Sequence, residues 1–501
     1  MNVAPPALPP VPPQSLASPR NHDALAQLAK VARADLARLN VPPANWVPPS
    51  RAPDGSAVLD VLVAGAGMCG QTAAQALLRE GITNLRVIDR EARGDEGPWG
   101  TYARMLTLRS PKHLTGPDLG VPSLTFRAWY EAQHGDAGWA ALHKIGRIDW
   151  RDYLLWVRDT VGLQVDNGVT LLAVDDEGGL LRARLQSACG IETVWTRKLV
   201  LALGRDGSGA PRWPNFPSLR RDDPLARGHV FHSADAIDFD AWRGKRIAVL
   251  GAGASAFDNA ACALEDGARV DLFARRGFLP QVNKSKWTAF PGFFRGFEAL
   301  DDARRWRFYT YIFDEQVPPP WETVRRCDEH ETFTLRLATP WTDVRPQADG
   351  VLVSTPAGSE RFDAVIFGTG FDVDLLDRPE LARYTGAIDT WGRHVTPAQA
   401  QTHPEPARFP YLGPGFELQA INEVHAAALT SIHLFNWGST MSHGALAGDI
   451  PGLAVGAGRL AQSIARHLFV VDADAHWERL QALEEPELLP TKWYVPPAGR
   501  R

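Results

Sequence analysis

The chain has 501 residues, 45% of them hydrophobic, and a formal net charge of −5 at pH 7. That length allows two or three domains with sizeable cores, and the acidic balance argues against a general nucleic-acid or membrane-surface role. There is no apolar run of about 18 residues, no basic-then-apolar secretory leader, and no CxxC pair among Cys69, Cys189, Cys262 and Cys327, so a reduced, cytoplasmic setting is expected and a membrane span or dithiol redox site is not.

Residues 1–20 carry Pro5, Pro6, Pro9, Pro10, Pro12 and Pro13 and read as a polyproline-like arm. The spacing of Leu25, Leu28, Val31, Leu36 and Leu39 predicts an amphipathic helix over residues 21–39, packed on the main body or on a partner subunit; a homo-oligomer stays open. Residues 42–53 form a linker with Trp46.

Residues 58–90 then read as strand, glycine turn, helix and strand. Val58, Leu59, Val61, Leu62 and Val63 predict a buried parallel strand. It runs into Gly65-x-Gly67-x-x-Gly70, with Met68 and Cys69 between the last two glycines. A helix follows to about Glu80, Gly81 stops it, and a second strand ends at Asp89–Arg90. This is a dinucleotide fingerprint: Gly65 for the tight turn, Gly67 for close approach of a pyrophosphate, Gly70 for helix packing, and Asp89 for ribose hydroxyls.

Residues 96–112 carry Trp99, Tyr102, Arg104, Arg109 and Lys112, either along a cofactor or as a loop with structural aromatics. A helix is predicted over residues 149–161. Strands are predicted over 169–174, 180–185 and 192–196, with a separate buried strand over 198–204 ending at Gly204. Residues 206–217 are a hinge-like connector rich in Gly and Pro.

The strand–turn–helix device repeats at residues 245–277, with Gly251, Gly253, Ala254, Ser255 and, at the third-glycine place, Ala256. Offset 24 from the first glycine gives Asp89 in the first unit and Arg275 in the second, followed by Arg276. A carboxylate suits a free 2′-hydroxyl, whereas two guanidiniums attract a 2′-phosphate, so the second unit is read as an NADPH site. Residues 278–337 are crowded with aromatics and are read as a mostly helical insertion covering the active site or walling a pocket. Strands are predicted over 351–354, 362–367 and 432–435, and a helix over about 450–468 led by Asp449.

Taken together, GAGMCG at 65–70, GAGASA at 251–256 with Arg275–Arg276, the linker Ala202-Leu203-Gly204, and Phe367-Gly368-Thr369-Gly370-Phe371 resemble the class B flavoprotein monooxygenases: flavin-containing, N-hydroxylating and Baeyer–Villiger types. Gly228-x-x-x-His232 is similar to that family's fingerprint, but Ala226 and Ala236 stand where aromatics are usual and the closing Trp-Pro is absent. The resemblance implies an α/β fold with two Rossmann-like domains, FAD and NADPH as cofactors, and O2 with a small organic molecule as substrates. It further implies a C4a-(hydro)peroxyflavin that oxygenates N or S, or inserts oxygen in Baeyer–Villiger fashion. An NADPH:FAD oxidoreductase feeding a carrier is the alternative. The implied domains are an arm and helix (1–54), the FAD domain in two parts (55–210 and 356–501), and an NADPH domain (211–355) with its insertion at 278–337. His232 and Asp449 are the candidates for catalytic side chains; His232 equally fits a structural hydrogen bond, and Asp449 either a flavin contact or a helix cap. No His spacing suggests a metal site, and His443 is read as a core histidine.

Overall fold

The computed structural model describes residues 20–113, 116–489 and 491–495. The proline-rich arm lies outside them apart from Arg20. The chain is a mixed α/β molecule built on two main sheets, the first with parallel and antiparallel pairs and the second parallel throughout.

In the first sheet Val58–Ala64 pairs in parallel with Leu85–Asp89 on one side and with the far half of Gly190–Leu201 on the other. Ile432–Leu434 joins beyond residues 199–201, also in parallel. Val61 and Val63 pack with Ala73 and Leu77 of helix Met68–Arg79 and with Leu460 and Ile464 of helix Leu453–Val471. Leu62 and Ala64 face the opposite cluster, which holds Leu171, Leu181 and Leu185. Burial on both faces is why this strand is apolar throughout rather than alternating.

The strands expected at 192–196 and 198–204 are one strand, Gly190–Leu201. Its first half pairs antiparallel with Leu180–Ser187 and its second half parallel with Val58–Ala64. The cation in its middle, Arg197, does not interrupt it, because both guanidinium arms bond Asp472 at 2.7 and 2.9 Å.

The second sheet runs Phe333–Arg336, Arg269–Phe273, Arg246–Leu250, Ala364–Phe367, Val230–His232, with every pair parallel. Two sequence boundaries shift accordingly. Phe333–Arg336 is a strand of this sheet, and helix Trp321–Asp328 packs on helix Ala254–Glu265 through Thr323–Asp258 (2.9 Å) and Arg326–Glu265 (2.7 Å) contacts. The aromatic insertion therefore ends near residue 320. Ala364–Phe367 also belongs here, not to the first sheet, and Asp363 separates it from the antiparallel strand Gly358–Phe362. The N-terminal helix His22–Arg38, capped by Asn21, buries Ala32 and Leu36 against Val121 and Leu124 of the main body. No helix of the described residues is long and apolar enough to cross a membrane.

Candidate active site

At the C-terminal ends of the first sheet's strands lies a cavity of about 1150 Å³. Its walls come from the 65–69 turn, Asp89–Arg90, the 97–110 loop, Ala202–Asp206, Asn436–Trp437 and Gly448–Ile450. The second unit adds Ser255, Asp258 and Asn259 from the helix that follows its glycine turn. The end of a parallel sheet where strand order changes is where such folds bind ligands.

The three glycines of the first turn do different work. Gly65 has φ +97°, and a Cβ there would lie 2.4 Å from the Ala202 carbonyl oxygen. A Cβ on Gly70 would lie 1.7 Å from the Gly65 oxygen, so its bareness lets the helix close on the turn. Gly67 is opposite Gly97 Cα, at an ordinary 3.6 Å for a Cβ, with bare backbone turned to the cavity.

Asp89 is buried, and its two oxygens accept from the backbone N–H of Ala66 (2.7 Å) and of Glu91 (2.8 Å). Burial pushes its carboxyl up, while those two bonds draw it back down. It thus pins the glycine turn, a use the ribose assignment did not include. Arg90 bridges Glu91 (2.9 Å) and Asp206 of the linker (3.0 Å).

Trp99 is buried edge-on to Trp150, and its Nε1–H has no partner although the ring lines the cavity. Asn436 was not singled out from sequence, where only its place after an apolar strand could have flagged it. Its Oδ1 accepts from Ser208 Oγ and from Gly438 N–H, both at 2.9 Å. The acceptor end is therefore fixed, and the amide Nδ2 is left buried, unpartnered and on the cavity wall. Asp449 makes no capping bond and presents its carboxyl to the same cavity. Burial raises its pKa, and Arg205 and Arg109 oppose that rise. Arg205 lies 4.0 Å from the ring of Trp437.

Of the second unit's expected cofactor residues, only Ser255 reaches this cavity. Gly251 (φ +126°) lies under the Gly368 oxygen, and Gly253 has open space where a side chain would be. Ala254 begins the helix and Ala256 packs on Gly368. Arg275 is exposed and Arg276 half-buried at the end of strand Arg269–Phe273; among the described residues neither guanidinium has an ion-pair partner. Thr369 Oγ1 donates to the Arg212 carbonyl oxygen. Gly204 lines the first unit's cavity.

His232 is fully buried and not itself in the cavity lining, which its neighbours Ser233 and Ala234 join. Its Nδ1 accepts from Ala234 N–H (3.1 Å), which leaves Nε2 to donate to the Gly370 carbonyl oxygen (2.9 Å). Burial lowers its pKa, so it is a neutral strut between strand Val230–His232 and the linker. His443 is a core histidine: it stacks on Phe416 at 3.9 Å, bonds the Gly413 oxygen at 2.9 Å, and burial holds its pKa at about 3. No residue of the aromatic insertion lines the cavity, so the expectation that it walls the pocket is not met; it packs behind the wall, with Phe313 6.5 Å from the ring of Trp437 and the Pro318 carbonyl 3.4 Å from Arg109.

The pyridine nucleotide-disulphide oxidoreductase family model matches residues 62–289. The chain is 41% identical over 466 residues to the FAD-dependent urate hydroxylase of Xanthomonas campestris pv. campestris, covering 93% of this chain and 97% of that one. The chain belongs to the class B flavoprotein monooxygenases. Two solved structures share the fold. Ornithine hydroxylase from Pseudomonas aeruginosa has a TM-score of 0.64 at 19% identity, over 82% of this chain and all of that one. L-lysine 6-monooxygenase from Pseudomonas syringae has a TM-score of 0.61 at 19% identity, over 81% and 99% of the two chains. The monooxygenase cavity suits FAD on its own evidence: a glycine turn closed tightly by Gly65 and Gly70 with the bare backbone of Gly67 turned to the cavity, and two buried donors, Trp99 Nε1 and Asn436 Nδ2, left over for a ligand.

Proposed function

We propose that this chain is an FAD- and NADPH-dependent hydroxylase of a small planar nitrogen heterocycle, with urate the first to test. The observation that carries this reading is end-to-end similarity to a urate hydroxylase. It is supported by a single cavity walled by the first glycine turn and by the helix of the second. When bound, FAD would supply the redox chemistry, accepting hydride from NADPH and activating O2 so that one oxygen atom goes to the substrate and the other to water.

The protein's share is binding, orientation and exclusion of water. The 65–70 turn and the free N–H groups opening helix Met68–Arg79 hold the pyrophosphate, and Asp89 fixes that turn. Asn436 Nδ2 and Trp99 Nε1 donate to the bound flavin nucleotide. Arg275 and Arg276 bind the 2′-phosphate that separates NADPH from NADH. His232 positions the Gly370 linker rather than moving a proton. Asp449, under the influence of Arg205 and Arg109, lines the same cavity.

The test begins with the purified protein, which should be yellow and should bleach with NADPH under anaerobic conditions. With urate and ¹⁸O2, one labelled oxygen should enter the product for each NADPH consumed. Bleaching followed only by reduction of an added dye would replace hydroxylation with simple electron transfer, and a chain that cannot retain FAD would end the reading.

A further inference from the structure

The aromatic stretch after residue 277 takes no part in the cavity, so its composition needs another cause. Residues 275–297 contain five cations, Arg275, Arg276, Lys284, Lys286 and Arg295, and no acid, in a chain of net charge −5. Arg275 and Arg276 serve the 2′-phosphate, which leaves Lys284, Lys286 and Arg295 without a role in cofactor binding. The same stretch exposes Phe278 (66%), Val282 (57%), Trp287 (62%) and Phe290 (40%), and helix Asp302–Glu315 adds Tyr311 (50%). Bulky apolar side chains this exposed in one place mark a contact surface.

The patch is built rather than loose. Trp287 lies parallel to Phe308 at 6.2 Å and edge-on to Phe290 and Phe293. Phe293 in turn stacks at 4.9 Å on the buried Phe297. Lys284 lies 5.6 Å from the ring of Tyr311. Among the described residues Lys286, Arg295 and Arg307 have no ion-pair partner. The acids near the patch are Glu298, three residues beyond Arg295, Asp301, which pairs with Arg304 and feels Arg307, Asp302, which pairs with Arg305, and Glu315, which acts on Lys284.

We propose that residues 278–290, with Tyr311, form a peripheral docking surface for an anionic lipid bilayer. Trp and Phe side chains suit the headgroup zone, and lysine and arginine around them meet lipid phosphates. The acidic charge of the whole chain does not oppose this, because charges beyond about 10 Å are screened at physiological salt. A second copy of the chain is the poorer occupant, since a two-fold contact would set the same cations against each other.

The FAD-loaded full chain is sedimented with vesicles of phosphatidylcholine, with and without phosphatidylglycerol. Binding is expected only with phosphatidylglycerol and is expected to weaken with salt. Lys284→Gln and Lys286→Gln should each lower partitioning about five-fold, from about 1 kcal/mol per cation. Trp287→Ser should lower it further, with NADPH-driven flavin bleaching unchanged and circular dichroism confirming the fold. Equal sedimentation of wild type and the triple variant, or none with phosphatidylglycerol at low salt, overturns the proposal. So does a fall in molecular mass on light scattering caused by Trp287→Ser, which would make the patch a subunit interface. Bleaching is read apart from sedimentation, so failure of the hydroxylase reading leaves this result standing.

Discussion

Arg275 lies two residues past the end of strand Arg269–Phe273, and among the described residues its guanidinium has no ion-pair partner. Arg275→Ala should raise the KM for NADPH about ten- to a hundred-fold, the loss of one charge-assisted hydrogen bond, and leave that for NADH nearly unchanged. Equal effects on both would remove the 2′-phosphate assignment. The first glycine turn makes a paired prediction. Gly67→Val should give a folded protein without flavin, since a Cβ there meets only ordinary contacts. Gly70→Ala should lose fold stability itself, because its Cβ would overlap a backbone oxygen at 1.7 Å. The ratio of flavin to protein absorbance, read with the melting temperature, separates the two. Asn436→Asp replaces a fixed donor with a second acceptor, and flavin release measured by ultrafiltration should rise. Unchanged retention would free that amide for the substrate instead.

At the scale of elements, strand Gly190–Leu201 carries a buried lysine. Lys198 bonds the Thr430 carbonyl and Ser431 Oγ, both at 3.2 Å, and burial holds its pKa at about 8 against an ordinary 10.5. Between those values the unfolded chain binds the extra proton, so this group adds stability as pH rises through the window. The full difference is on the order of 3 kcal/mol. The buried thiols of Cys69 and Cys327, held at about 12, act in the opposite sense over part of that range. The measurement is therefore the difference in urea midpoint between wild type and Lys198→Met, which should shift in favour of wild type as pH climbs from about 8. A constant difference would refute it. Elements whose signal is local were legible: both glycine turns, the helices after them, and Gly81 as a stop all stand where the spacing put them. Elements decided by distant partners were not. Arg197 looked like a strand end until Asp472 is seen to neutralise it, and Phe333–Arg336 looked like insertion because its neighbour in the sheet is about sixty residues earlier in sequence.

The whole molecule repeats one supersecondary device and sets the two copies around one cavity. Composition could not reveal which face of the aromatic insertion is turned outward, nor that Asn436 has a spare donor, because both depend on how distant segments meet. The cavity that would hold FAD is walled by several separate segments of the first unit. Removing FAD should therefore lower the melting temperature of the entire chain; at a concentration of a hundred times Kd the ligand contributes about 2.7 kcal/mol. Differential scanning fluorimetry of apo and reconstituted protein checks this, and identical melting curves would count against a flavin at that site. A last consequence concerns Ala256 and Gly368. A Cβ on Gly368 would come within 2.5 Å of the Ala256 methyl and 2.6 Å of the Ala256 Cα, so at that position the linker crosses the turn with room for bare backbone alone. Gly368→Ala should therefore cripple the chain even beside Ala256→Gly, because that second change leaves the Cα of residue 256 in the way; recovery of the melting temperature in the double variant would refute this crossing of turn and linker.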